Sequence, residues 1–257
     1  MLDGAGSVLR TFTLEPTDSL AAPLPIHAFV DGTLLVSGEP PLEVASAPPE
    51  GRVRFHENYA EYDAGGRFTR TLRSRIPGSE VLRATRNGRM LSVPAPFPRR
   101  TIVAPQDKLI VLGTNEGPFV DFLRRGDGTW TRIEWRQSAR PVERGHLELF
   151  VEALVGSAGG GREQLRQILS TALLPKELPW YDAIVVAQDS SIWIREYALP
   201  GEDSSLWRVL EPTGHLNATA MLPSSFVPTR IGADGLLGIA TDSLNVERVM
   251  RFRLIDP

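Results

Sequence analysis

The chain has four histidines, His27, His56, His146 and His215, and no cysteine to offer a transition metal. A zinc or iron site needs such ligands gathered, commonly as a pair at i and i+4 on one helix. Here they stand apart with no such pair, so neither a metal site nor a cofactor is expected. Nucleophilic chemistry has equally little to start from. There is no thiol, and no Gly-x-Ser-x-Gly turn to lift a serine out of a strand. Gly159-Gly160-Gly161 lies ahead of a helical pattern and could cradle a phosphate, but no Lys-Ser/Thr follows it and no strand leads in. It reads as a linker, and no catalytic residue is assigned.

Binding chemistry has more to work with. Between Arg52 and Arg100, eleven arginines stand against Glu57, Glu61, Asp63 and Glu80, a net of +7 in a chain whose total is -3. That density suits an anion-binding face, for a phosphate, a carboxylated sugar or an acidic protein. The competing reading is a solvated arginine-rich surface, because Lys108 and Lys176 are the chain's only lysines and the arginine bias is chain-wide. Nucleic acid is not expected as a partner: the total charge is acidic and no basic motif is interleaved with aromatics.

The elements that must position these residues are mostly strands. The 257 residues are 42% hydrophobic and 23% charged, the mix of a folded globular chain, and the 23 glycines and 21 prolines break it into short pieces. No apolar run reaches the roughly 18 residues of a membrane span. Met1-Leu2-Asp3-Gly4 is not a basic-then-apolar leader, so the chain is expected to be soluble, without a signal peptide, in a compartment that the sequence does not assign.

Self-similarity decides the fold class. Pro25 to Val36, Pro98 to Val111, Pro179 to Ile194 and Pro228 to Ile239 share one layout: a proline, two variable residues, an apolar strand, a polar turn and a second apolar strand. Val81 to Val93, around Asn87-Gly88, is a shorter match. A second hairpin type follows, in Tyr59 to Leu72 around Gly65-Gly66, Phe119 to Trp135 around Asp127-Gly128, and Leu206 to Leu222 around Gly214. Inner hairpin plus outer hairpin makes a four-stranded unit that must stack on its neighbours to bury its faces. Radial stacking of such units is a β-propeller. The expectation is therefore an all-β chain, residues 1–257 forming a single β-propeller domain with four to five blades. Pro228 to Ile255 lacks a last strand, which Val8 to Leu14 is expected to supply.

Two amphipathic helices interrupt this pattern, within an insertion at 141–174. Leu147, Phe150, Val151, Leu154 and Val155 recur at helical spacing, as do Leu165, Ile168, Leu169 and Ala172. Capping of the propeller by these helices is the default, with partner binding the alternative.

The second residue after each repeat proline is expected to reach a common ring at the channel mouth. These residues are His27, Arg100, Tyr181 and Arg230, with Arg99 and Trp180 beside them. Guanidinium groups next to aromatic rings suit an anionic or sugar-like ligand through bidentate hydrogen bonds and stacking. The bland alternative is that Trp180 and Tyr181 pack between blades while the arginines cover sheet edges.

The stretch from Pro179 to Leu254, with Ile192-Trp193-Ile194-Arg195, Leu206-Trp207-Arg208-Val209-Leu210, Gly214-His215-Leu216 and Ile231-Gly232-Ala233-Asp234-Gly235, resembles the C-terminal blades of bacterial six-bladed β-propeller proteins, broadly NHL-like. Tyr62-Asp63-Ala64-Gly65-Gly66-Arg67-Phe68 and Leu123 to Ile133 resemble the outer-strand motif of the same group. The resemblance implies a truncated or divergent member of a group that is often exported to the periplasm or carried as lipoproteins. Asp127-Gly128-Thr129-Trp130 is similar to the Asp-box turn of sialidase-like propellers but one residue too short. Calcium-dependent propeller lactonases place Glu and Asn or Asp ligands at the channel mouth, and no such set assembles from the repeat positions here. The expectation is a non-catalytic binding or protein-interaction platform for a small anionic or carbohydrate ligand or a protein partner. The alternative is a metal-dependent, lactonase-like hydrolase or lyase with residues on dispersed loops.

Overall fold

One turn recurs in four hairpins and sets their geometry. In Phe29–Thr33, Asp63–Arg67, Ala187–Ser191 and Glu211–His215, the first N–H donates to the fifth carbonyl, and the fourth N–H returns to the first carbonyl. The fourth residue sits at positive φ: Gly32 at 83°, Gly66 at 83°, Ser190 at 70° and Gly214 at 89°. This is a type I turn closed by a left-handed residue, and it feeds a twisted antiparallel pair. Carboxylates reinforce it. Asp31 Oδ1 accepts from the N–H and hydroxyl of Thr33 at 3.0 and 2.6 Å. Asp189 does the same for Ser191 at 2.9 and 2.7 Å.

The computed structural model describes residues 11–40, 50–86, 88–157, 162–170, 172–242 and 246–253. They fall into two compact units, one holding the described residues of Met1–Ala47 and Phe55–Pro77, the other those of Pro48–Arg54 and Gly78–Pro257. The first sheet runs β1 (Leu24–Ala28), β2 (Leu34–Gly38), β3 (Gly51–Tyr62), β4 (Phe68–Arg86) and β5 (Arg89–Pro94). The second holds β6 (Ile102–Gln106), β7 (Leu109–Gly113), β8 (Phe119–Arg124) and β9 (Trp130–Glu134). The third holds β10 (Tyr181–Val186), β11 (Ile192–Glu196), β12 (Ser204–Leu210) and β13 (Leu216–Pro223). The fourth holds β14 (Phe226–Gly232), β15 (Gly235–Thr241) and β16 (Glu247–Phe252). Every sheet is an antiparallel meander in chain order, the build of a propeller blade. The chain is an all-β protein of the β-propeller class, with four blades among the described residues.

In the larger unit, β10 packs beside both β6 and β14, so the innermost strands of successive blades adjoin. Two apolar seams result. Val111, Val120, Phe122 and Ile133 meet Tyr181, Ile184, Ile192 and Ile194 between the second and third sheets. Trp193, Trp207 and Val209 meet Phe226, Ile231 and Leu236 between the third and fourth. In the smaller unit, Leu20, Leu34, Val36, Ala60 and Tyr62 form a separate core.

Two expectations change. The short hairpin at Val81 to Val93 is not a separate blade, because β4 runs unbroken for 19 residues and carries β5 on its far end. A left-handed Arg75, φ 54°, bends that strand, and Asn58 Oδ1 accepts its N–H at 2.7 Å. Among the described residues no fourth strand joins β16. Residues 8–10 of the expected closing strand lie outside the described residues. Phe12 and Leu14 pack instead on the Tyr62 core of the smaller unit, where the Glu15 N–H donates to Gly66 O at 3.1 Å.

The insertion folds as α1 (Arg144–Ser157) and α2 (Arg162–Ser170). Phe150 of α1 packs on Phe97, Leu178 and Leu199. Ile168 of α2 packs on Leu82 and Ala95. Both helices thus spend apolar stripes on local burial within the larger unit. Gly159, Gly160 and Gly161 lie outside the described residues. Among the described residues no helix is long and apolar enough to cross a membrane.

Candidate functional site

Asn115 organises one end of the second and third blades. It is 1% exposed and sits at φ 48°, a left-handed conformation that Asn tolerates better than most residues. All four of its polar groups are used. Its N–H donates to Tyr181 Oη at 3.1 Å and its Nδ2 donates to Tyr181 O at 3.0 Å. Its Oδ1 accepts the Arg100 N–H at 2.9 Å, and its carbonyl accepts the Trp180 N–H at 3.2 Å. One loop residue, through its side chain and its carbonyl, therefore fixes the backbone of Arg100, Trp180 and Tyr181 together.

Tyr181 is the post inside this clamp. It is fully buried, and its hydroxyl donates to Phe119 O at 2.8 Å. A Cβ at Gly113 would fall on that hydroxyl, so β7 must end in glycine there. Burial pushes the phenol well above its ordinary range. Tyr181 therefore positions the cluster from within the seam and presents no surface to a ligand.

Around this post the arginines divide by partner. Arg52 Nη1 and the Arg99 N–H share Glu80 Oε2, each at 2.8 Å. Arg54 donates to Gly78 O and Glu116 Oε1 at 2.5 Å each, and to Thr114 O at 3.3 Å. Arg195 Nε holds Asp182 Oδ1 at 2.5 Å. Arg99 and Arg100 differ: among the described residues, neither guanidinium has a carboxylate within ion-pair distance. Arg100 is exposed and reaches only a backbone carbonyl, Asp182 O, at 2.5 Å. Arg99 is half-buried and close enough to Arg54 to repel it.

The electrostatics record this crowding. Burial, with a smaller push from Arg99, holds the Arg54 guanidinium below its ordinary range against the pull of Glu116 and Glu80. Asp182 is raised by burial, with Arg195, the Ala198 N–H and Arg100 opposing. Tyr197, buried nearby, is pushed up to about 12 by burial and then by Asp182. The cluster thus combines buried, paired charges with two consecutive arginines, Arg99 near Arg54 and Arg100 near Asp182, that among the described residues have no carboxylate within ion-pair distance.

The six residues expected in one ring are not all gathered. Arg100, Trp180 and Tyr181 are brought together through Asn115, and Arg99, next to Arg100 in the chain, is held by its N–H on Glu80. Arg230 is not: it lies beside Gln188, past the far end of β10, seven residues from Tyr181 and so roughly 20 Å along an extended strand. With its amide oxygen turned to the arginine, Gln188 accepts from Nε at 3.1 Å and Nη2 at 2.6 Å. The reason is that the repeat prolines do not mark equal heights. Pro98 stands four residues ahead of β6 and Pro179 two ahead of β10, whereas Pro25 and Pro228 lie inside β1 and β14. His27 belongs to the smaller unit, half-buried with its ring edge-on to Phe29 at 4.8 Å.

A second concavity opens at the Arg230 end. A cleft of about 730 Å³ lies along the seam between the third and fourth sheets, lined by Gln188, Asp189, Trp193, Asn217, Thr219 and Gly232 among others. Small residues Ala187, Ala218, Ala220 and Ala233 also line it and leave the space. Among the described residues no group of three or more His, Asp or Glu side chains is placed to hold a metal ion.

Fold and site together define a β-propeller with an arginine pair at the opening of two neighbouring innermost strands. No protein-family model matches the chain, and no curated protein is significantly similar to it.

Proposed function

We propose that this protein is a non-catalytic propeller that serves as a binding platform, taking an anionic ligand, a carboxylated or phosphorylated small molecule or an acidic group on a partner protein, at Arg99, Arg100 and Trp180. The observation that carries the reading is a pair of consecutive arginines, one already repelling Arg54, with no carboxylate within ion-pair distance of either guanidinium among the described residues. A planar guanidinium recognises carboxylate or phosphate bidentately, and the half-buried indole of Trp180, next in chain to Tyr181, offers a face for a sugar ring or an apolar body. Asn115 holds the backbone of Arg100 and Trp180 before the ligand arrives, which lowers the ordering cost of binding. The relationship to bacterial, six-bladed, NHL-like propellers belongs to the same proposal and rests on the strand motifs quoted above.

Isothermal titration with glucuronate, citrate and inorganic phosphate tests the reading. At least one of the three should bind the native chain, and Arg99→Ala with Arg100→Ala should weaken that binding by about tenfold or more. Binding by none of them, or an affinity that the double substitution leaves unchanged, would remove the proposal.

A further inference from the structure

The fourth sheet ends, among the described residues, in an exposed edge strand. β16 is exposed from Glu247 to Arg251, and among the described residues its outer edge carries no strand. An open edge of unpaired N–H and C=O groups is a template for strand addition. Glu247, Val249 and Arg251 point to one face, since side chains alternate along a strand. On that face Val249 stands in register with Ile239 and Val227, and Arg251 with Leu237. All four aliphatics are exposed, Val249 the most at 76%.

We propose that two copies of this chain associate through antiparallel pairing of their β16 edges about a two-fold axis at Val249. In this register Glu247 of each copy faces Arg251 of the other, giving two cross-strand ion pairs. Arg248 faces Met250, so no like charges meet. Val249 meets Val249, and the row Val227, Ile239, Val249 becomes a continuous six-residue aliphatic stripe across the joined sheets. Sliding the register by one residue in one direction sets Arg248 against Arg251, which like-charge repulsion disfavours, and in the other sets Arg251 against Val246 and so loses both ion pairs. Within one chain the competing claims on these charges are weak or elsewhere. Arg251 reaches Asp234 only at 3.7 Å with both side chains largely exposed, and Arg248 is held by Asp242 at 3.1 Å. The inference is independent of the anion site, which sits on other blades.

Sedimentation velocity on the full chain through the micromolar range decides it. The native protein should show a concentration-dependent dimer that weakens with salt. Glu247→Arg or Arg251→Glu alone should weaken it by about tenfold, and the two together should restore it because the cross-strand pairs reform with reversed sign. Val249→Lys should leave a monomer with an unchanged melting temperature. A monomer throughout the range overturns the proposal, including one whose β16 amides are protected from exchange by the chain's own first ten residues. So does a dimer that the double charge reversal weakens as much as either single one.

Discussion

The two seams of the larger unit are made from the same kind of strand and end differently. Between the second and third sheets, Tyr181 fills the space, Trp135 packs on it at 5.8 Å between ring centres, and Gly113 yields room for its hydroxyl. Between the third and fourth sheets, alanines at 187, 218 and 220 face across and leave the cleft of about 730 Å³. The first seam spends its volume on rigidity, and that rigidity holds Arg99, Arg100 and Trp180 at its edge. The second keeps space open. In a repeat architecture, side-chain size at the seam decides whether blades meet as core or as cavity.

Substitutions at Tyr181 break this contrast most strongly. Tyr181→Ala should cost about 3–5 kcal/mol in urea unfolding, by lost burial plus the cavity left behind. Tyr181→Phe keeps the ring but strands the Asn115 N–H and the Phe119 carbonyl, for about 1–3 kcal/mol. If Tyr181→Phe is silent, the clamp is not what holds the seam.

Asp182 comes next. Burial raises its carboxyl, so the folded chain binds that proton more tightly than the unfolded chain does. Its contribution to stability is therefore greatest at acid pH and declines as pH rises through and above the ordinary carboxylate range. Asp182→Asn should cost about 2 kcal/mol near neutrality, less than a fully buried pair because both partners keep some solvent contact. The gap between native and variant stabilities should narrow with rising pH; a widening gap would contradict the burial effect.

Filling sharpens the comparison from the other side. Ala220→Leu places new methyl groups into the cleft and should stabilise by up to about 1 kcal/mol. Gly113→Ala, a smaller addition in the filled seam, should destabilise by about 1–3 kcal/mol. Thermal melts of the pair should move in opposite directions. The smallest expected effect on stability is that of Arg99→Ala with Arg100→Ala, within about 0.5 kcal/mol, since among the described residues neither guanidinium has a carboxylate within ion-pair distance to lose.

How much of this was legible in the sequence depends on where each signal is local. The hairpins were readable because turn chemistry is local: Asp31-Gly32, Gly65-Gly66 and Gly214 announce their left-handed positions. The long β4 was not, because Pro77-Gly78 reads as a break while the strand continues on the pairing of its two ends. Counting from prolines places Arg100 and Trp180 beside Tyr181, as the Asn115 bonds do, but the same count puts Arg230 with them, and it lies instead beside Gln188. Strand height is set by the bulges and turns of each hairpin, which proline spacing does not record. Asn115 was missed because nothing in Thr114-Asn115-Glu116-Gly117 marks one asparagine as the hub of three segments. Its only signal is a left-handed-tolerant residue between glycines at 113 and 117.

The account turns on the arginine pair, and one titration series reaches it directly. Glucuronate, citrate and phosphate are titrated into the native chain, into Arg99→Ala with Arg100→Ala, and into Arg230→Ala. The account predicts binding that the double substitution weakens by about tenfold or more and that Arg230→Ala leaves within about twofold. Equal loss in both variants, or none in either, would contradict it.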